Sequence, residues 1–215
     1  MSDNYNNKYF SILGDSMSTL QGFSTPEDAA FYAYGRCREF GVFVPEDTWW
    51  GQVIEALGGR LLVCDAFSGS TVSRDPMYDY PSYGCSDERT SALHSGDICP
   101  DVIMILMGAN DRGMRVAAKG EQDWTFEGAY RLMLQKLRRR YPDAEIWCLT
   151  LPTPQNAPLR DPDPYCQTVR DVGIQTGCRV LELATPHLRY PSPDNLHPDR
   201  EGMRIMAEHI LSQII

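Results

Sequence analysis

The chain has 215 residues, of which 42% are hydrophobic and 23% charged, a balance that suits a globular domain with a substantial core. Its formal net charge of -9 repels nucleic acid and anionic membranes, so neither is an expected partner. The polar start from Met1 to Lys8 lacks a signal-peptide pattern, and no apolar run approaches a membrane span.

In chain order, the pattern predicts a strand over Tyr9–Leu13, a long loop over Met17–Glu46 and a helix over Thr48–Leu57, with Asp47 as its candidate cap. The Trp49-Trp50 pair opens that helix, so one ring is expected inward and the other outward. A strand over Leu61–Cys64, a loop over Ser73–Cys85 and a helix over Asp87–His94, capped by Ser86, follow. Next come a strand over Val102–Met107, a helix over Phe126–Tyr141 capped by Thr125, and a strand over Ile146–Leu151. The chain closes with a loop over Pro152–Pro164, a helix over Tyr165–Gln175, a strand over Val180–Leu183 and a helix over Asp199–Ile214. Met203, Met206, Ile210 and Ile214 form a core-facing stripe on the last helix. This alternation argues for an α/β fold with a parallel sheet, and the unbroken apolar run Val102–Met107 suits a strand covered on both faces. Each long loop begins just after a predicted strand, at the end where open α/β sheets bind ligands. No repeat or linker divides the chain, so residues 1–215 are expected to form one domain.

The cysteines Cys37, Cys64, Cys85, Cys99, Cys148, Cys166 and Cys178 are odd in number and contain no C-x-x-C pair. That argues against a disulfide framework or a zinc site, and for a reducing, cytoplasmic setting. Cys64 and Cys148 lie in apolar runs and read as small core residues.

Four short motifs carry chemistry. Gly14-Asp15-Ser16 places a serine after the first strand, where hydroxyl and backbone N–H can face one space, and Gly14 allows a tight turn. Ser68-Gly69 follows the second strand, and a glycine there lets a backbone N–H approach a substrate oxygen. Gly108-Ala109-Asn110-Asp111 follows the most apolar strand, and the Asn110 amide can donate to a developing oxyanion. Asp194-Asn195-Leu196-His197 is a turn in which the carboxylate can hold one imidazole nitrogen and leave the other to take the serine proton. Each motif alone is also ordinary turn or cap chemistry; their joint order is the argument.

These blocks make the chain resemble the SGNH hydrolases, also called GDSL esterases and lipases. The resemblance runs from about Tyr9 to the C-terminus. It implies a flavodoxin-like three-layer α/β/α sandwich with a five-stranded parallel sheet, without metal or cofactor. It also implies Ser16, His197 and Asp194 as the triad, and Ser16, Gly69 and Asn110 as the oxyanion hole. Two positions depart from the family pattern. Met17 stands where Leu or Ile is usual, and Cys64 and Asp65 stand where an Asn commonly precedes the second-block glycine.

The expected reaction is serine-based hydrolysis of a small-molecule or carbohydrate ester, with a short, chiefly acetyl, acyl group. The alternatives are a lipase, lysophospholipase or thioesterase acting on longer chains, or a silent carbohydrate-binding protein. Polar residues in the Ser73–Cys85 loop, among them Arg74, Asp75 and Asp79, favour the first. His94, His187 and His209 lack a nearby Ser/Asp partner and read as surface or core residues. Asp15 and Asp111 read as buried turn aspartates rather than metal ligands, and Arg138-Arg139-Arg140 as a helix end complementing the dipole. Trp49, Trp50, Tyr78, Tyr80, Tyr83 and Trp124 lie in or near loops, where aromatic faces can stack on sugars or pack in the core. Oligomeric state is left open.

Overall fold

A computed structural model describes residues 3–77, 83–160 and 162–214. Tyr78, Asp79 and Tyr80 lie outside the described residues. The main sheet is built from β1 (Tyr9–Gly14), β2 (Arg60–Ala66), β3 (Val102–Leu106), β4 (Glu145–Leu149) and a short last strand, Arg179–Leu181. All neighbours are parallel, with β1 between β2 and β3, then β4, then the last strand. This is the doubly wound order whose direction reverses between β1 and β3, so the loops leaving those two strands flank a crevice. Gly14 is in register with Ala66 on one side and Leu106 on the other, which aligns the three strand ends that carry the motifs.

The helices are α1 (Gly35–Phe40), α2 (Trp49–Ala56), α3 (Asp87–Ser91), α4 (Ala109–Gly113), α5 (Phe126–Arg140), α6 (Pro164–Gln175) and α7 (Arg200–Leu211). They pack as two groups, α2 with α7 and α5 with α3 and α6. β3 is buried at every position, as its apolar run requires. Met203, Met206 and Ile210 are wholly buried, and Ile214, beyond the end of α7, packs on the core.

Each expected strand and helix is present with ends shifted by a few residues. Ser86 and Thr125 cap α3 and α5 by accepting the N–H groups of Arg89 and Gly128. Asp47 does not cap α2. Thr48 does, its Oγ1 accepting Gly51 N–H at 3.0 Å, because the Asp47 carboxylate accepts from Phe43 and Val44 and pairs with Arg200. Trp49 and Trp50 are both fully buried, not split between core and solvent. α2 is covered on one side by α7 and on another by the loop after β1, where Trp50 Nε1 donates to Ser18 O at 2.9 Å. The loop regions also hold α1, α4 and a small pair of strands, Thr153–Pro154 beside Arg189–Tyr190, none of which the pattern predicts.

Two buried side chains tie the strand-end loops together. Arg89, on α3, donates from Nε to Asp65 Oδ2 at 2.8 Å and from Nη1 to Ser70 Oγ at 2.9 Å. Its Nη2 reaches the carbonyls of Gly14 at 3.0 Å and Asp65 at 2.9 Å. Burial raises the Asp65 pKa, and the Arg89 charge opposes that rise. Asp111 accepts from Val72 N at 2.8 Å, Ser73 N at 3.0 Å and Ser73 Oγ at 2.6 Å. It is therefore the turn aspartate that its position after β3 suggests.

Removing one member of a buried ion pair leaves the other uncompensated. Arg89→Met should cost about 3–5 kcal/mol in urea unfolding, and adding Asp65→Leu to the same chain should recover part of that loss. A loss of about 1 kcal/mol or less, the scale of an exposed pair, would contradict the clamp.

Candidate active site

Ser16 begins a single tight 3-10 turn, Ser16–Ser18, directly after β1. Asp15 caps the turn, its Oδ1 accepting Met17 N–H at 3.1 Å. Burial pushes the Asp15 carboxyl up to about 7, opposed by the Met17 hydrogen bond and aided by the Asp111 charge. Gly14 is required for closeness rather than for turn freedom: a Cβ there would sit 2.5 Å from Ser18 Cβ.

His197 lies in the segment before α7. Asp194 shapes that segment locally. Its Oδ1 accepts Leu196 N–H at 3.0 Å and His197 N–H at 2.8 Å, and Asn195 between them takes a left-handed φ of 61°. Asparagine tolerates that conformation better than most residues. The same carboxylate meets His197 Nδ1 through Oδ2 at 2.6 Å, and His197 Nε2 lies 2.8 Å from Ser16 Oγ. Residues 181 positions apart thus join in one hydrogen-bonded path, Asp194–His197–Ser16.

The imidazole is held on its flat side as well. Phe31 stacks on it with ring centroids 3.5 Å apart and planes at 17°, and Phe40 meets it edge-on at 6.4 Å. On Phe31 rests the Arg36 guanidinium, 4.4 Å from the ring centroid. Tyr32 OH donates to Pro198 O and Tyr190 OH to Leu196 O, each at 2.7 Å, so the carbonyls on both sides of His197 are fixed. Burial lowers the His197 pKa; the Asp194 partner opposes this and the Arg36 charge adds to it. For Asp194, burial acts upward, but the His197 hydrogen bonds and charge bring the carboxyl below its ordinary value.

Gly69 adopts φ +82°, with nothing within 4 Å of where a Cβ would stand, so the glycine meets a backbone requirement and leaves open space beside it. Asn110 donates one amide N–H to Ser70 O at 2.8 Å, which orients the amide and leaves its second N–H for another acceptor. Among the described residues, the backbone N–H groups of Ser16 and Gly69 have no hydrogen-bond acceptor. Chemically, this is a serine hydroxyl beside a base, with N–H donors on the neighbouring loops.

The other singled-out residues fall elsewhere. His94 is exposed and lies 3.4 Å from Tyr141 OH through Nδ1; His187 is exposed and His209 partly exposed. Arg138 binds the carbonyls of Ala144 and Gly177, and Arg140 binds Thr90 and Asp87, so both do structural work near the end of α5. Tyr83 is partly buried, and Trp124 is exposed. Cys64 and Cys148 are buried. Among the described residues no His/Cys/Asp/Glu cluster could hold a metal ion, and no helix is long and apolar enough to cross a membrane. Sequence reasoning missed Phe31, Tyr32, Arg36, Arg89 and Tyr190; none carries a local motif, and Phe31, Tyr32 and Arg89 act on partners far along the chain.

The profile of the GDSL-like lipases/acylhydrolases matches residues 8–214. A comparison with curated proteins gives no match. Among solved structures, a protein assigned as a GDSL-like lipase from Bacteroides ovatus is 27% identical, covers 97% of this chain and 98% of its own, and has a TM-score of 0.77. Another so assigned, from Bacteroides uniformis, is 25% identical over 97% of this chain and 95% of its own, with a TM-score of 0.76. The fold also matches a carbohydrate esterase family 2 enzyme with a carbohydrate-binding domain from Corynascus thermopiles. That match has 17% identity and a TM-score of 0.62, and covers 98% of this chain and 66% of the other. The family match across nearly the whole chain, on a doubly wound sheet with a serine at the end of its first strand, makes this chain a member of the GDSL-like lipase/acylhydrolase (SGNH) family, serine hydrolases that act on ester bonds.

Proposed function

We propose that the protein hydrolyses short-acyl, chiefly acetyl, esters, including esters of carbohydrates. The observation that carries this reading is the hydrogen-bonded path from Asp194 through His197 to Ser16, with links of 2.6 and 2.8 Å. In this reading Ser16 Oγ attacks the ester carbonyl carbon while His197 Nε2 takes its proton, and Asp194 holds the imidazole in the required orientation. The carbonyl oxygen becomes an oxyanion, held by the N–H groups of Ser16 and Gly69 and the free amide N–H of Asn110. His197 then returns the proton to the departing alcohol, leaving an acyl-Ser16 ester. Water, deprotonated by the same imidazole, attacks that ester; the carboxylic acid leaves and Ser16 regains its proton.

Support for a short acyl group comes from the loop after β2, which meets Asn110 at Ser70 and is polar beyond it, with Thr71, Ser73 and the Arg74–Asp123 pair at 2.9 Å. A long acyl chain gains only from continuous apolar contact, about 0.8 kcal/mol for each buried methylene. Support for a sugar alcohol comes from the shared fold with a carbohydrate esterase.

Ser16→Ala should lower kcat on p-nitrophenyl acetate by several orders of magnitude with the unfolding midpoint little changed. Near-normal turnover by the variant would overturn the mechanism. With the wild-type protein, kcat/KM should fall from the two-carbon to the eight-carbon p-nitrophenyl ester, and a steep rise would put the longer-chain reading in its place. The pH profile follows from His197, which must be neutral to accept the serine proton. Its pKa is lowered from the ordinary 6.5, so the base form survives further into acid and the acidic limb of kcat/KM should lie below pH 6.5. Arg36→Gln removes a charge that disfavours the imidazolium, so it should move that limb upward. An unmoved limb or a downward shift would show that Arg36 does not act on His197.

A further inference from the structure

Beside Asn110 lies a cavity of about 350 Å³, within the size range of small-molecule sites. Its lining includes Asn110, Arg112, Met114, Arg160, Asn195 and Leu196. It therefore touches both halves of the chemistry: the amide offered to the oxyanion, and the turn that leads into His197. A two-carbon acyl group cannot fill such a space, so the part of the substrate that enters it is the alcohol. That step rests on the short-acyl reading above.

The charge of the cavity sets it apart. The whole chain is acidic, with 29 Asp and Glu against 20 Lys and Arg. Yet the cavity presents two guanidinium groups, and no Asp or Glu is among the described residues that line it. The hollow on the Phe31 side is different, since Asp28 and Glu39 line it together with Arg36. Arg112 is anchored, its Nη1 donating to Asp163 Oδ2 at 3.0 Å. The other oxygen of Asp163 caps α6 by accepting from Tyr165 at 2.9 Å and Cys166 at 3.4 Å, so Arg112 is charge-paired and fixed in place, offering its other N–H donors to the cavity, and among the described residues the uncompensated charge there is that of Arg160. The remaining donors of Arg112 have no acceptor among the described residues, and none is buried without a partner. Arg160 is exposed and has no acidic partner among the described residues. Two planar forks on the rim of a partly apolar hollow suit a carboxylate, which guanidinium groups bind in matching geometry. Met114, Pro154, Pro158 and Leu196 supply apolar surface for the ring that carries it.

We infer that this cavity binds a carboxylate on the alcohol part of the substrate, so that the enzyme prefers an O-acylated sugar acid to the corresponding neutral sugar. The test compares kcat/KM on a methyl glucuronoside and a methyl glucoside acetylated at the same hydroxyl, with p-nitrophenyl acetate alongside. The acidic ester should be favoured by about tenfold or more at low salt, and the ratio should shrink as ionic strength rises. Arg160→Gln should reduce the ratio several-fold, mostly through KM on the acidic ester, while Arg160→Lys retains most of it. Hydrolysis of p-nitrophenyl acetate together with equal rates on the two sugar esters would overturn the inference and leave the esterase reading standing. So would a preference that survives both Arg160→Gln and Arg112→Gln. No hydrolysis of p-nitrophenyl acetate by the wild-type protein would overturn the short-acyl reading and this inference with it.

Discussion

The Arg89 guanidinium sits where β1 and β2 end, out of contact with bulk water, and its donors are divided among Asp65, Ser70 and the Gly14 carbonyl. A buried cation is tolerable only when a carboxylate and several acceptors replace its water. Here those acceptors lie at the end of β1 and along the end of β2 with its following loop, so satisfying the charge also sets the spacing of the loops that carry Ser16 and Gly69. Asp111 does the same from the other side, gathering Val72 and Ser73 to the end of β3. The candidate site thus rests on backbone loops held by buried polar contacts, each of which would be costly to break.

With the loops set, His197 is brought to Ser16 by means that are partly local and partly distant. Asp194 forms the turn and orients the ring with the same carboxylate, so the carboxylate and the imidazole arrive already paired. The stacked Phe31 and the bonds from Tyr32 and Tyr190 then hold the ring and the backbone around it. Removing water from the imidazole has a direct chemical effect, because it disfavours the charged form and keeps the ring a base. Asp194 opposes that effect, and their balance decides how acidic the medium can become before the base is lost.

The sheet order explains why these groups converge. In this order the chain moves out from β1 to β2 and then crosses back to β3, so loops at the reversal diverge and leave a crevice between them. Ser16 and Asn110 leave the two strands that border it. Residues between Thr153 and Arg160 and the turn before α7 close one side, where Arg160, beside an Arg112 already paired with Asp163, gives an acidic protein a locally positive surface.

Much of this was legible in the sequence. Short unbroken apolar runs alternating with helical patterns suit covered strands, and the serine, glycine, asparagine and Asp-x-x-His blocks are each short enough to read locally and together argue by their order. The Asp194–His197 relation was readable because a turn brings such near neighbours together whatever the rest of the chain does. The burial of both Trp49 and Trp50 was not readable, since periodicity alone cannot know that α7 and the loop after β1 cover a second face of the same helix. Thr48 rather than Asp47 caps α2 because Asp47 is claimed by Phe43, Val44 and a cation far along the chain. Arg89, Phe31 and Tyr32 follow the same rule: nothing beside them in sequence marks a role, and their partners lie up to 166 positions away. The sequence by itself determined which chemical groups stand at the strand ends and in what order, because those depend on residue type and short-range geometry. Tertiary structure alone decided which of them meet, how dry the histidine is and where the positive cavity lies, because burial and charge compensation arise only when distant segments share one space.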